Sequence, residues 1–214
     1  MTRVIVIGAG GQGQVAAEIL MRMRDCGEPV DVVGFLDDNP ALVGQSLLGI
    51  PVLGPMSALA DLAPDAVLLG IGANARRAEV FAALKKSGAR FFTAIHPTAV
   101  VSPTARIGVG VVICAGAIIG VSASVGDNTI INTRAIVEHH GVVAEHVHLA
   151  SGACAGGEAV IEAGAFIGLG ATVCSRCRVG AWSFIGAATF VFQDVPAQTK
   201  VVAVNALKPF RPVL

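Results

Sequence analysis

Two hydrophobic rhythms divide the chain. Over residues 1–92, short apolar runs alternate with amphipathic stretches. RVIVIG (3–8) reads as a buried strand, and QVAAEILMRM, directly after Gly13, as a helix with one apolar stripe. VDVVGFLDD (30–38) is a second strand closed by acids, and a Gly- and Pro-rich stretch follows it. DAVLLGIG (65–72) is a third strand, followed by a helix near 75–87 and then RFFTAIHP. Strand, helix, strand, helix in this order predicts a small Rossmann-like parallel α/β sheet.

From Ile95 the rule changes. Every sixth residue from Ile95 to Val191 faces one way, and sixteen of these seventeen positions are Ile, Val or Leu, with Ala155 the exception. Four residues after each lies a second register, including Ala99, Ala117, Ala135, Ala153 and Cys177, in which nothing exceeds valine in size. One aliphatic and one small slot every six residues is the hexapeptide β-helix pattern. Each hexad is a short strand plus a turn, and stacked coils bury a core that no single coil could bury alone. The predicted organisation is an α/β domain over 1–92, a β-helix over 93–194 and a tail over 195–214.

Composition narrows the function classes. Fifteen Lys and Arg balance fifteen Asp and Glu, and the few aromatics (5%) do not interleave with basic residues, so nucleic-acid binding finds little support. The start, MTRVIVIGAGG, lacks a charged leader and cleavage site, which predicts a cytoplasmic protein. IGVGVVICAGAIIGVSASVG (107–126) is uncharged and long enough to span a bilayer. Its glycines and β-branched residues are poor helix formers, and its apolar positions follow the hexad, so no membrane segment is expected. Five irregularly spaced cysteines favour reduced thiols. Cys174 and Cys177 have CxxC spacing but no second pair to complete a zinc site; Cys177 fills a small inward slot instead.

Candidate chemistry gathers in two places. Gly8, Gly10, Gly11 and Gly13, with Gln12 among them, form a turn from strand to helix. Bare backbone there can approach a diphosphate at the helix N-terminus, and Asp37 and Asp38 lie where a ribose or base would be read. A tight turn without ligand and a dinucleotide-dependent oxidoreductase are the competing readings; the hexads leave no substrate domain of the second kind. The other place is NTRAIVEHHGVVAEHVHLASG (132–152), which holds four of the five histidines. His139, His140, His146 and His148 all avoid the inward slots, so they are not core residues of the prism. Solvated surface histidines are the bland alternative.

The hexads resemble those of left-handed β-helices with three hexads per coil, a geometry that stacks residues eighteen apart at roughly 4.8 Å. On it, Gly157 sits one coil along from His139, offering amides unhindered by a Cβ beside a potential base. His148, nine residues from His139, faces another side, so a site using both lies between neighbouring subunits. No third ligand accompanies His146 and His148, and no metal is expected.

Several motifs together carry a closer resemblance: VIGAGGQG (6–13), GFLDD (34–38), GIG with Asn74 and Arg76, IHPTA (95–99), NTRAIVEHH (132–140) and HVHLASGA (146–153). With the hexads they make the chain similar, over nearly its whole length, to bacterial hexapeptide acyltransferases of the sialic-acid O-acetyltransferase type. That group includes N-acetyltransferases of nucleotide-linked 4-amino-6-deoxy sugars. The resemblance implies a homotrimer with acetyl-CoA in intersubunit clefts and a nucleotide-sugar on the N-terminal domain, held by the Gly-rich turn, Asp37, Asp38, Asn74 and Arg76. It implies a catalytic base at His139, a second histidine at His148, and acetyl-CoA contacts from Asn132, His148, Gly156, Gly157 and Lys208. Glu138 would orient His139 or hold its imidazolium.

Three departures bear on chemistry. His140 stands where relatives commonly carry an acid, Gln12 where many carry a histidine, and AVNALKPF (203–210) blurs the usual ending, so Lys208 and Arg211 either neighbour the CoA phosphates or belong to a solvated tail. The expected activity is acetyl-CoA-dependent N-acetylation of a UDP- or GDP-linked 4-amino-4,6-dideoxyhexose for surface polysaccharide or glycan synthesis. A sialic-acid-type sugar O-acetyltransferase and a non-catalytic nucleotide-sugar-binding scaffold are the alternatives.

Overall fold

A computed structural model describes residues 1–203 of the chain. Strand β1 (Thr2–Ile7) leads through the Gly-rich turn into α1 (Gly11–Asp25), then β2 (Val30–Leu36). A short hairpin, β3 (Ser46–Leu47) and β4 (Ile50–Gly54), occupies the stretch expected to be turn alone. A single-turn helix α2 (Leu59–Leu62), β5 (Ala66–Leu69) and α3 (Asn74–Lys86) complete a sheet in the order β3-β4-β2-β1-β5. The β1–β2, β1–β5 and β2–β4 pairings are parallel, as strands joined through crossovers require.

From Ala94 to Val201 the chain winds a left-handed parallel β-helix of two-residue strands in three sheets of five, six and seven strands. Ile118 pairs with Ile136 and Ile136 with Cys154, so each circuit advances eighteen residues. The aliphatic register (Ile113, Ile131, Leu149, Ile167) and the small register (Ala117, Ala135, Ala153, Ala171) are fully buried. A third register, at the turns, recurs with the same period: Asn128, Arg134, His140, His146 and Glu158 all adopt left-handed φ between 55° and 62°. Their amides are not wasted, since each bonds one coil back, as His140 N does to Val121 O at 2.8 Å.

The last coil corrects the expected boundary at 194. Lys200–Val201 pairs with Phe184–Ile185, and Val195 bridges to Val179. Both steps span sixteen residues, because the turn after Val191 is two residues short. A strict six-residue period loses the register there, although the coil itself continues. Of the tail, residues 204–214, which include Lys208 and Arg211, lie outside the described residues.

The two units share a core. Ala16, Ala17, Ile19 and Leu20 of α1 cluster with Ala94, Val112 and Ile130 on the outward side of one β-helix sheet. That contact covers one face of the prism and fixes the Gly-rich turn relative to the histidine-bearing coils. No helix among the described residues is long and apolar enough to cross a membrane.

Candidate active site

The Gly-rich turn is shaped partly by packing and partly for approach. Gly8 has φ +97°, and a Cβ on Gly13 would run into the carbonyl oxygen of Gly8. Gly10 and Gly11 meet nothing within 4 Å, so bare backbone there leaves open space instead of relieving a clash. No side chain caps the N-terminus of α1 and no acid occupies its first turn, which leaves its free amides and dipole for an anion. Asp37 braces the turn: its Oδ2 accepts from Ala9 N at 2.8 Å and its Oδ1 from Asn39 N at 2.9 Å. Asp38 accepts from Met56 N at 2.9 Å and lies 3.8 Å from Arg76. Gly8, Asp37, Asp38, Met56, Ile71 and Arg76 line a cavity of about 260 Å³, with Arg76 as its exposed cation. Gln12 stands at the edge of the turn with its buried Nε2 unpartnered.

Asn74, expected at the nucleotide-sugar, has a different task. Its Nδ2 donates to Gly164 O at 3.1 Å and Ala165 O at 3.0 Å, and its Oδ1 accepts from Arg77 Nη2 at 2.9 Å. Its position at the start of α3, facing the β-helix, makes it a strut between the units. The larger strut is Arg77, which sequence reasoning missed. Only 1% exposed, it donates from Nε to Asn128 O (3.0 Å), from Nη1 to Ile71 O (3.0 Å) and from Nη2 to His146 O (2.9 Å). Burial pushes its guanidinium down to about 10, so it stays charged at neutral pH among carbonyl dipoles.

The four histidines split into two pairs with different fates. His146 and His148 lie at the junction of the two units. Asn128 Nδ2 donates to His146 Nδ1 at 2.8 Å, and burial holds that ring below its ordinary value. His148 is 7% exposed, edge-on to Phe166, and Asn132 Nδ2 donates to its Nε2 at 3.1 Å. Burial foremost, then the Arg77 charge, lowers His148 to about 4, against an opposing contribution from the Gly72 backbone. Asn132 and His148, both expected to hold acetyl-CoA, thus spend one polar atom each on the other. Asn132 Oδ1 accepts from Thr133 N at 2.7 Å and Ser151 Oγ at 3.3 Å, and His148 Nδ1 is buried and unpartnered. His148 is shielded from solvent because the N-terminal unit covers the sheet that carries it, whereas His146, at the turn, is half-buried.

This pair has a consequence for stability. In the unfolded chain His148 titrates near its ordinary 6.5, so between pH 6.5 and 4 the unfolded state binds the proton and the folded state does not. Stability is therefore full above that window and falls as pH drops through it, by roughly 3 kcal/mol for this ring. Urea midpoints across pH 4–7 should decline steeply for the wild type and less steeply for His148→Asn. Equal slopes would place the acid sensitivity elsewhere.

His139 and His140 are exposed, in the turn between strands Ile136–Val137 and Val142–Val143. Stacking puts Gly157 directly beside His139: a Cβ built on Gly157 would lie 2.6 Å from His139 Nε2 and 2.7 Å from Cε1. The Gly157 N–H has no hydrogen-bond partner among the described residues, whereas Gly156 N is spent on Val173 O at 2.9 Å. Of the two glycines, only Gly157 keeps a free amide. A Cβ on Gly156 would come within 2.7 Å of Ser175 N, so that glycine serves coil packing. Glu138 differs from expectation as well, since its Oε2 accepts from the His139 backbone N at 3.3 Å and does not bond the ring. His139 Nδ1 instead lies 3.2 Å from His140 Nδ1. Among the described residues no three His, Cys, Asp or Glu side chains gather as a metal site.

Comparison with known proteins finds relatives of the same fold over nearly the whole chain. Residues 3–84 match the model of the PglD N-terminal domain. A GDP-perosamine N-acetyltransferase from Caulobacter crescentus, solved with CoA and GDP-perosamine, is 32% identical with a TM-score of 0.86, covering 97% of this chain and 96% of that one. The acetyltransferase domain of PglB from Neisseria gonorrhoeae is 31% identical with a TM-score of 0.87, over 98% of this chain and 100% of that one. WeeI from Acinetobacter baumannii is 26% identical with a TM-score of 0.82, over 95% and 97%. No curated protein matched the chain. A Rossmann-like unit docked on a β-helix of eighteen residues per coil, together with whole-length identity above 30%, places the chain in the hexapeptide-repeat sugar N-acetyltransferase family.

Proposed function

We propose that the chain transfers the acetyl group of acetyl-CoA to the amine of a nucleotide-linked 4-amino-4,6-dideoxyhexose, with His139 as the base. One observation carries the assignment of the base: an exposed imidazole with its Nε2 over a glycine whose amide is free. The Caulobacter relative's complex with CoA and GDP-perosamine supports the substrate class, and GDP and UDP sugars are both candidates. Units 1–92 and 93–201 divide the work. The Gly-rich turn, the α1 N-terminus, Asp38 and Arg76 take the nucleotide diphosphate, and the β-helix takes acetyl-CoA.

The chemistry is a single displacement. Nε2 of His139 removes a proton from the sugar amine as nitrogen attacks the thioester carbonyl. The C–N bond forms, the oxyanion is met by the Gly157 N–H, and the C–S bond breaks. The imidazolium then returns the proton to the CoA thiolate. Such a base contributes about 10²–10⁴-fold, and one oxyanion donor about 3 kcal/mol. The thioester is already activated, so the enzyme's remaining task is to hold both substrates side by side.

A homotrimer completes the site in this reading. The corner carrying His139 separates two faces: one bears an outward apolar column with Val100 (63% exposed), Ile118 and Phe190 (60%), the other a mixed column of Arg106, Ser124, Val142, Val160 and Arg178. A second copy seated against them forms a cleft at His139, and light scattering should give three chains per particle. We assign the enzyme to the cytoplasm and to surface polysaccharide or glycan synthesis; all five cysteines are free thiols there.

Two measurements test the reading. Thiol release from acetyl-CoA should require a nucleotide-linked amino sugar, and the acetylated product should resist hydroxylamine, as an amide does. A hydroxylamine-labile ester would assign O-acetylation, and no release with any nucleotide-sugar would leave a binding scaffold. Gly157→Ala tests the geometry: its Cβ must push the imidazole aside, yet an exposed ring can swing away without unfolding. Turnover should fall at least tenfold with an unchanged melting temperature, and an unaffected turnover would contradict the pairing of Gly157 with His139.

A further inference from the structure

We propose that His140 is the positioning residue of this site, its neutral imidazole accepting the Nδ1–H of His139 and so fixing the tautomer whose Nε2 lone pair lies over Gly157. The inference rests on His139 being the base. Four observations carry it. The two Nδ1 atoms lie 3.2 Å apart, with ring centroids 5.4 Å apart and planes at 80°. Two nitrogens at that distance share one proton: one ring donates and the other accepts. No carboxylate among the described residues bonds either ring nitrogen of His139, because Glu138 caps the backbone N instead. The third is the backbone, where left-handed φ of +58° at His140, locked by its amide on Val121 O, turns that residue at the corner beside His139.

The fourth is the direction of the proton. A base at Nε2 must be unprotonated there, so the proton of neutral His139 belongs on Nδ1. His140 Nδ1 must then be the acceptor and carry its own proton on Nε2. The opposite arrangement, His140 Nδ1–H donating to His139, would put a proton on His139 Nε2 and silence it. When His139 becomes imidazolium, the same bond from Nδ1–H to His140 holds its plane over Gly157 until the proton leaves for the thiolate. Other groups around the pair are Glu138, Cys154 and the Glu158–Arg176 ion pair, whose members engage each other at 3.3 Å. Neither Glu158 nor Arg176 supplies the missing acceptor. Proteins of this chain thus use an uncharged acceptor behind the base, one that a second proton would abolish.

Nitrogen-15 NMR of the full-length enzyme reads the tautomer directly. His139 should show a protonated Nδ1 and a free Nε2 in the wild type at pH 8, and a mixture in His140→Phe, which keeps a ring but has no acceptor. His140→Phe should lower kcat at least tenfold with KM values within about twofold. His140→Asp restores an acceptor and should recover at least tenfold over His140→Phe. Its negative charge favours the imidazolium, so the acid limb of its kcat/KM profile should move to higher pH. A protonated Nε2 on wild-type His139, or full turnover in His140→Phe, overturns the proposal. If His139→Ala is inactive while His140→Phe is normal, only this inference fails; if His139→Ala is fully active, the assignment of the base fails first.

Discussion

Replacing His139 with alanine should reduce kcat by about 10²–10⁴-fold while leaving assembly and melting temperature unchanged. The ring is exposed and supports no part of the prism: its neighbours are Gly157, His140 and solvent. Removing it therefore removes chemistry without removing core. The size of the deficit should also depend on pH. In the variant the proton that the amine sheds as it attacks must leave to solvent hydroxide, a route that quickens as pH rises. The deficit of His139→Ala is thus expected to narrow as pH rises. Steady-state thiol release across pH, with circular dichroism as a control for folding, checks both statements. A deficit that is constant with pH would mean that His139 orients substrate and does not move a proton.

The second large effect is expected at Arg77, far from the reacting atoms. Arg77→Met keeps the apolar stem of the side chain but leaves the carbonyls of Asn128, Ile71 and His146 without their donor. Each buried acceptor stripped of its partner costs about 1–3 kcal/mol. Even with relaxation, the sum should exceed about 3 kcal/mol, or roughly 10 °C in melting temperature for a chain of this size. Arg77→Lys should rescue little, since a compact ammonium cannot reproduce a planar fork that reaches both units at once. Because those carbonyls belong to the loop beside the nucleotide cavity and to the coils carrying His146 and His148, kcat/KM should fall together with stability. Differential scanning calorimetry measures the first effect, and a melting temperature within two or three degrees of wild type would show that the units dock without this residue.

The contrast between those two positions shows what is readable from one sequence. His139 was legible because the hexad assigns every residue of the β-helix a direction, and eighteen-residue stacking then finds Gly157 by arithmetic. Arg77 was not, although a signal exists: on α3 it shares the helical face of Val80, Phe81 and Leu84, all buried. A charge on an apolar stripe means a buried partner, but beside Arg76 it passes for a solvated pair. The same blindness affected His146 and His148. Their outward direction was correct, yet outward from the prism here means into the docked α/β unit. Periodicity reports which way a side chain points within one element and says nothing of what is packed outside it. The β3–β4 hairpin escaped because four paired residues around Gly49 carry too little alternation to be distinguished from a turn. The final coil escaped because a two-residue deletion breaks the count without breaking the stack.

A structure of the enzyme with CoA and a nucleotide-linked amino sugar bound together tests the account most directly. The sugar nitrogen should lie within about 3 Å of His139 Nε2, beside the thioester end of CoA, in a cleft walled by two copies of the chain. A sugar nitrogen lodged against His148, or a CoA thiol remote from Gly157, would contradict it.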